Sequence, residues 1–182
     1  MVKVGESLSQ IYQNYCFKHG YGDKGTSHSY IDIYEKYINK DNISLLEIGV
    51  CRGHSISMWK EFLPYSRIVG VDINLSEVEF DLKDCELIEG DSTSTETSNK
   101  FEDETFDFII DDGSHEPDDQ KNTFNLFYPK LKKNGYYFIE DIRSKKLHGE
   151  FMSFLSSKNL EHKSTSYIGE KRLDDIIVLV TK

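Results

Sequence analysis

Apolar residues first recur at helical spacing: Leu8, Ile11, Tyr12 and Tyr15 fall on one face of a helix that the pattern ends at Gly20. A second helix follows Ser27, with Tyr30, Tyr34, Tyr37 and Ile38 on one face, and the polar loop 21–29 (YGDKGTSHS) joins the two. From Ile43 the pattern changes. Short apolar runs bounded by glycines and acids alternate with helical stretches, which is the signature of βαβ units and a parallel sheet. Five such strands are predicted at 45–50, 67–73, 86–89, 106–110 and 136–139, with helices at 55–63 and 117–131, the latter burying Phe124, Phe127 and Leu131. A short helix at 150–157 precedes two strand-like runs, 162–168 and 175–181, whose turn at 169–174 makes them a hairpin and hence an antiparallel edge. The polar stretch 92–104 (STSTETSNKFEDE) reads as a surface connection, and no internal repeat or domain boundary is visible.

A chain of 182 residues suits one domain, which divides into a helical cap over 1–42 and a core over 43–182. The formal net charge of -10 opposes binding to phosphate backbones or anionic lipid, so neither nucleic acid nor a membrane is an expected partner. Cys16, Cys51 and Cys85 are odd in number and form no CxxC pair, which argues against a disulfide framework or a zinc-thiolate site and fits a reducing cytoplasm. The first ten residues lack an apolar run of signal-peptide length, so a soluble, unprocessed protein is expected.

In an open α/β sheet, ligands bind beyond the carboxyl ends of the strands. The first strand ends in EIGVCRG, where Gly49 and Gly53 permit a tight turn and a close backbone approach. The second ends in Asp72, an acid at the distance that suits hydrogen bonds to an adenosine ribose. The spacing is not GxGxxG, and Glu47 inside the turn would repel a pyrophosphate yet favour an ammonium group. That pattern disfavours a nicotinamide dinucleotide and favours a cofactor without phosphates. The glycines would equally serve an ordinary βα turn, and Asp72 and Asp91 a helix cap or a solvated loop.

The runs LLEIGVCRGHS and VGVDI resemble motifs one and two of the class I S-adenosylmethionine-dependent methyltransferases. The resemblance implies a Rossmann-like α/β fold: a seven-stranded, mostly parallel sheet with an antiparallel C-terminal hairpin strand and helices on both faces. It also implies a cofactor site in which Glu47 and Gly49 line the methionine end, Asp72 holds the ribose and Asp91 and Ser92 lie by the adenine, with Gly53 and Asp111 completing the set. The family usually carries glycine where this chain has Cys51.

Strand four runs into Asp111-Asp112-Gly113-Ser114-His115 and strand five into Glu140-Asp141, so four carboxylates converge on one edge, a crowding that calls for a cation. Carboxylate oxygens without cysteine suit Mg²⁺, Mn²⁺ or Ca²⁺, and an acceptor with two neighbouring hydroxyls would complete the shell. Methyl transfer from a sulfonium needs an oxygen nucleophile placed in line and relieved of its proton, and a neutral imidazole such as that of His115 is available as the base. IIDDGSHEPDDQ and YYFIEDI, together with the early DKGTSHSYIDIYEKYI, resemble a narrower group: metal-dependent sugar O-methyltransferases of macrolide biosynthesis, of the mycinamicin type, and relatives known as cephalosporin hydroxylases. On matching positions the resemblance implies Asp112, Glu140 and Asp141 as Mg²⁺ ligands and His115 as the general base, acting with Asp112.

Lys24 and His28 are loop candidates for the same site, whereas Tyr30 and Tyr34 read as core. Arg143, with Lys145 and Lys146, would meet a phosphorylated acceptor or else form a solvated basic loop. That group carries a large extra N-terminal region. With about forty residues before its first strand, this chain is expected to take a smaller acceptor, or one held partly by a neighbouring subunit in a homo-oligomer. Rival readings are a catechol-type O-methyltransferase, a non-catalytic S-adenosylmethionine-binding domain and a nicotinamide dehydrogenase.

Overall fold

A computed structural model describes residues 6–19, 22–38, 42–79, 81–158, 160, 163–169 and 172–182. The expected helix stop at Gly20 and strand start at His162 lie outside the described residues, as does part of the hairpin turn. Two N-terminal helices, α1 (Leu8–His19) and α2 (Tyr30–Tyr37), lead into β1 (Ser44–Ile48), α3 (His54–Phe62), β2 (Arg67–Asp72) and β3 (Glu86–Glu89). A one-turn helix α4 (Thr95–Ser98) is followed by β4 (Phe106–Asp111), α5 (Pro117–Phe127), β5 (Leu131–Ile139), α6 (Lys145–Ser157), β6 (Lys163–Ile168) and β7 (Ile176–Thr181). The seven strands form one sheet in the order β3-β2-β1-β4-β5-β7-β6. The first five are parallel, while β7 pairs antiparallel with both β5 and β6, so it is inserted between them and β6 takes the edge.

Side-chain alternation with period two sorts the sheet into two buried faces. Leu45, Ile68, Phe108, Ile110 and Phe138 pack under α1, α2 and α3. Leu46, Val69, Ile109, Tyr137 and Val178 pack under α5 and α6. The strands buried on both sides are the near-continuous apolar runs seen in the sequence.

Four elements depart from the sequence pattern, one of them α6, which starts at Lys145 rather than at 150 and is capped where the Ser144 hydroxyl accepts from the Leu147 amide at 3.2 Å. The helix expected to reach residue 131 gives way after Phe127 to a 3-10 turn at Tyr128–Lys130, because Pro129 has no N–H to continue the ladder. β5 begins five residues early and absorbs a register shift opposite Phe106 and Phe108. The 92–104 connection contains α4, capped where the Ser94 hydroxyl accepts from the Glu96 amide at 3.1 Å. Among the described residues, no helix is long and apolar enough to cross a membrane.

Candidate functional site

The carboxyl ends of the central strands open into a cleft of about 640 Å³. Its floor is built by Ile48 and Gly49 after β1, Val71 and Asp72 at the end of β2, and Gly90 and Asp91 after β3. One end is closed by Asp112 to His115, and Tyr12, Tyr15 and the 22–24 loop complete the wall from the N-terminal side.

Gly49 has φ 92, and a Cβ there would collide with the carbonyl oxygen of Asp112. Glycine is required because the ends of β1 and β4 touch, before any ligand is considered. Gly53 has φ 87 and starts α3. Cys51, where the resembling family has glycine, also takes a left-handed φ of 49, which accounts for the family's residue on backbone grounds. The Asp72 carboxylate accepts from the amides of Val50 at 2.7 Å, Cys51 at 2.8 Å and Asn74 at 2.9 Å, so it fixes the β1–α3 turn and stands at the cleft floor. Asp91 accepts from the Thr93 amide and hydroxyl at 2.8 and 2.7 Å, and Ser92 shares a 3.1 Å hydrogen bond with Thr123. Both line the cleft.

The acids sort by strand parity. Glu47, Asp112 and Glu140 point to the face covered by α1 to α3, and Lys24 reaches in among them. Its Nζ donates to Asp112 Oδ2 and Glu140 Oε1 at 2.6 Å each and lies 3.4 Å from Glu47 Oε1. Burial alone would lower the Lys24 ammonium, but Asp112, Glu140 and Glu47 outweigh it and hold it well above the usual lysine range. Three acids against one ammonium leave excess negative charge. Burial, with Asp112 adding repulsion, raises Glu140 well above the carboxylate range and brings Glu47 to about 7. Trp59 donates to Glu47 at 3.1 Å, and Tyr34 makes a short hydrogen bond to Glu140.

Asp141 leaves this alternation through a left-handed φ of 53 and turns toward His115, itself at φ 58. His115 Nε2 lies 3.8 Å from Asp112 Oδ1 and 3.8 Å from Asp141 Oδ2. Burial raises the Asp141 carboxyl, and Tyr30 donates to it at 2.6 Å. His28 is buried, stacks on Tyr30 and places Nδ1 3.4 Å from Asp141 Oδ1.

The arrangement places the remaining expected site residues as follows. Glu47 and Asp111 were expected along the cofactor, but both are enclosed and neither lines the cleft. The ammonium that Glu47 faces is that of Lys24. Asp111 points to the α5 and α6 side, where burial pushes its carboxyl up to about 7. Asp112 and Glu140 meet at Lys24, and Asp112 and Asp141 both face His115. Among the described residues the cation-competent groupings are Asp112, His115 and Asp141, and separately Glu47, Asp112 and Glu140. Arg143 lies outside the cleft and donates to Glu116 at 2.6 Å. Sequence reasoning missed Tyr12 and Tyr15, whose helical spacing marks them as core and nothing else.

A sheet of this order, with an antiparallel strand inserted beside β5 and a cleft over β1, β2 and β4, defines a Rossmann-like ligand-binding domain. The chain belongs to the family described as "Methyltransferase domain", which matches residues 46–142. It is 30% identical over 130 residues to mycinamicin VI 2''-O-methyltransferase of Micromonospora griseorubida, covering 65% of this chain and 32% of that one. It is 27% identical over 137 residues to 8-demethyl-8-(2-methoxy-alpha-L-rhamnosyl)-tetracenomycin-C 3'-O-methyltransferase of Streptomyces olivaceus, covering 69% and 35%. The chain thus spans about a third of the length of these curated relatives. In fold it is similar to the MycE methyltransferase of the mycinamycin pathway in complex with Mg, SAH and mycinamycin VI, with a TM-score of 0.72 at 23% identity over 98% of this chain and 54% of that one. It also matches the SAH-bound Podospora anserina methyltransferase PaMTH1, with a TM-score of 0.67 at 15% identity over 97% and 88% of the two chains.

Proposed function

We propose that the protein is an S-adenosylmethionine-dependent, divalent-metal-dependent O-methyltransferase acting on a hydroxyl of a sugar or glycoside, with His115 as general base. The observation that carries the reading is the placement of Asp112, Asp141 and His115 together at one end of the cleft floored by Gly49 and Asp72. A divalent ion fits there by donor chemistry: Asp112, Glu140 and Asp141 bring hard carboxylate oxygens to one edge, beside the half-buried imidazole of His115. The named activities of the two curated relatives, both O-methyltransferases of natural products, support the same reading.

When bound, S-adenosylmethionine would supply the methyl group, and a divalent ion held by Asp112, Glu140 and Asp141 would supply positive charge that acidifies a neighbouring hydroxyl. The remaining work falls to the chain. Asp72, its carboxylate held by three amides, presents lone pairs to ribose hydroxyls, and Asp91 with Ser92 flanks the base. His115 Nε2 takes the proton of the acceptor hydroxyl, its ring oriented by the two carboxylates it faces. Tyr12 and Tyr15 wall the cleft and limit water around the transferring group. We further propose that the 1–42 cap and the 43–182 core form one domain, that the setting is a reducing cytoplasm, in keeping with three free cysteines, and that nucleic acid is not a partner at a net charge of -10.

Calorimetric titration of metal-stripped protein with S-adenosylhomocysteine, repeated with Mg²⁺, tests the reading. Wild type is expected to bind with a Kd on the order of micromolar, and Asp72→Ala to weaken it at least about tenfold, or about 1.4 kcal/mol. A folded wild type that takes up no S-adenosylhomocysteine would overturn the proposal.

A further inference from the structure

The two outer edges of the sheet are unlike. β3 is guarded: it is short, has an acid at each end, and ties both acids down, Glu86 in a bidentate pair with Arg67 at 2.9 and 2.7 Å and Glu89 by accepting from the Leu75 amide at 3.2 Å. β6 has a single guard, Lys163 at its first position. It runs in unbroken register with β7 over all of Lys163–Ile168, without proline or bulge, and its sequence KSTSYI holds no acid.

Hydrogen-bond parity shows which backbone groups of β6 face outward. Just past β7, the Lys182 amide donates to the Gly135 carbonyl at 3.2 Å, so even residues of β7 face β5 and odd ones face β6. The Gly169 amide donates to the Asp175 carbonyl at 2.6 Å, which puts the odd residues of β6 toward β7 in agreement. The amides and carbonyls of Ser164, Ser166 and Ile168 therefore point away from the sheet, where no described strand pairs with them. Exposed apolar side chains bracket the same edge: Leu160 is 38% exposed before the strand, Ile168 47% at its end and Leu173 89% in the turn beyond.

We propose that β6 is the seam of a symmetric homodimer, pairing antiparallel with β6 of a second copy about a two-fold axis through Ser166. That register sets Ser166 against its own copy and Ser164 against the partner's Ile168, each opposed pair exchanging two hydrogen bonds. Centring the axis on Thr165 or Tyr167 would carry an outward residue past the end of the opposing strand. Thr165 then lies across from the partner's Tyr167, a favourable β-branched and aromatic pair. Strand pairing alone is narrow beside the roughly 1,200 Å² that a stable interface buries. The same axis brings the Leu160 end of one strand against the Ile168 and Leu173 end of the other, so the apolar residues widen the contact from both sides, as a self-complementary patch requires. Each copy has a net charge of -10, but none of its acids lies in the strand. The seam ends at the turn whose base, Asp174 and Asp175, holds Tyr30 and Ser29 beside the cleft, so pairing also steadies that wall.

Sedimentation velocity of the full chain, with amide hydrogen exchange read residue by residue, tests the seam. Wild type is expected to reach twice 21.1 kDa by about 100 µM, with the Ser164, Ser166 and Ile168 amides protected. Ile168→Glu should raise the dimer dissociation constant about tenfold or more. Ser166→Pro, at an outward position where a strand tolerates proline, should do the same. In the resulting monomers those three amides should exchange fast while Thr165 and Tyr167, bonded to β7, stay slow. Should Ser166→Pro not fold, Ile168→Glu decides. A wild type that stays monomeric, a dimer in which the three amides exchange fast, or a dimer that Ile168→Glu leaves as tight would each overturn the proposal. Protection of the three amides in a monomer would mean that another segment of the chain covers the edge, and would overturn it as well.

Discussion

Gly49 stands where the ends of β1 and β4 meet, and the Asp112 carbonyl leaves no room for a methyl group. Gly49→Ala combines that collision with a strained φ of 92 and is expected to cost about 3 kcal/mol or more, read as a fall in the urea midpoint. Asp111 carries a different signature. Its folded pKa is raised to about 7 by burial, above an unfolded value of about 3.9, so its contribution is full below the unfolded value and declines as pH rises toward about 7. Urea midpoints of metal-free wild type should therefore fall between about pH 4 and about pH 7, and Asp111→Asn should flatten that fall; unchanged curves would refute the assignment. Much of the site was legible in the sequence at this scale, because Gly49, Asp72 and the two acidic runs sit at strand ends. What escaped was parity. Carrying the period-two alternation of Phe108 and Ile110 onward to Asp112, and of Phe138 onward to Glu140, puts both acids on the side of Glu47 and leaves Asp111 on the other. The turn of Asp141 toward His115 depends on a left-handed backbone, which no side-chain pattern announces.

Among elements, the loop from Gly22 to Ser29 does the most connecting. It sends Lys24 into the acids and is tied at its far end where the Asp175 carboxylate, just before β7, accepts from the Ser29 amide at 2.9 Å and hydroxyl at 3.1 Å. Tyr30 of α2 continues the tie, donating to Asp141 and to the Asp174 carbonyl. Asp175→Ala removes the acceptor without filling its place. Hydrogen exchange at the Ser29 and Tyr30 amides is expected to rise by about tenfold or more in that variant while the amides of β1 and β4 keep their protection. Equal loosening everywhere would mean that Asp175 serves global stability alone. The strands and the main helices could be read from periodicity because each buries a regular face. This tie could not, since Ser29 and Asp175 lie far apart in sequence and only the sheet order brings them together.

For the whole molecule, the single Trp59 is a reporter placed at the junction of cap and core: its ring lies 5.3 Å from that of Tyr34 in α2 and its Nε1 donates to Glu47 in β1. If cap and core are one domain, Trp59 fluorescence and far-ultraviolet circular dichroism should give coincident denaturation midpoints, whereas an earlier fluorescence transition would mark a separately melting cap. The sheet order has a consequence of another kind. β5 is completed by β7, yet α6 and β6 come between them in the chain. During synthesis, Tyr136 to Ile139 therefore leave the ribosome with one row of backbone donors and acceptors bare, and they stay so until the strand that covers them has been translated. In that interval a second nascent chain presents the same bare, apolar edge. A crowded polysome is thus where misassembly of this protein is most to be expected, and prompt delivery of β7 is what prevents it.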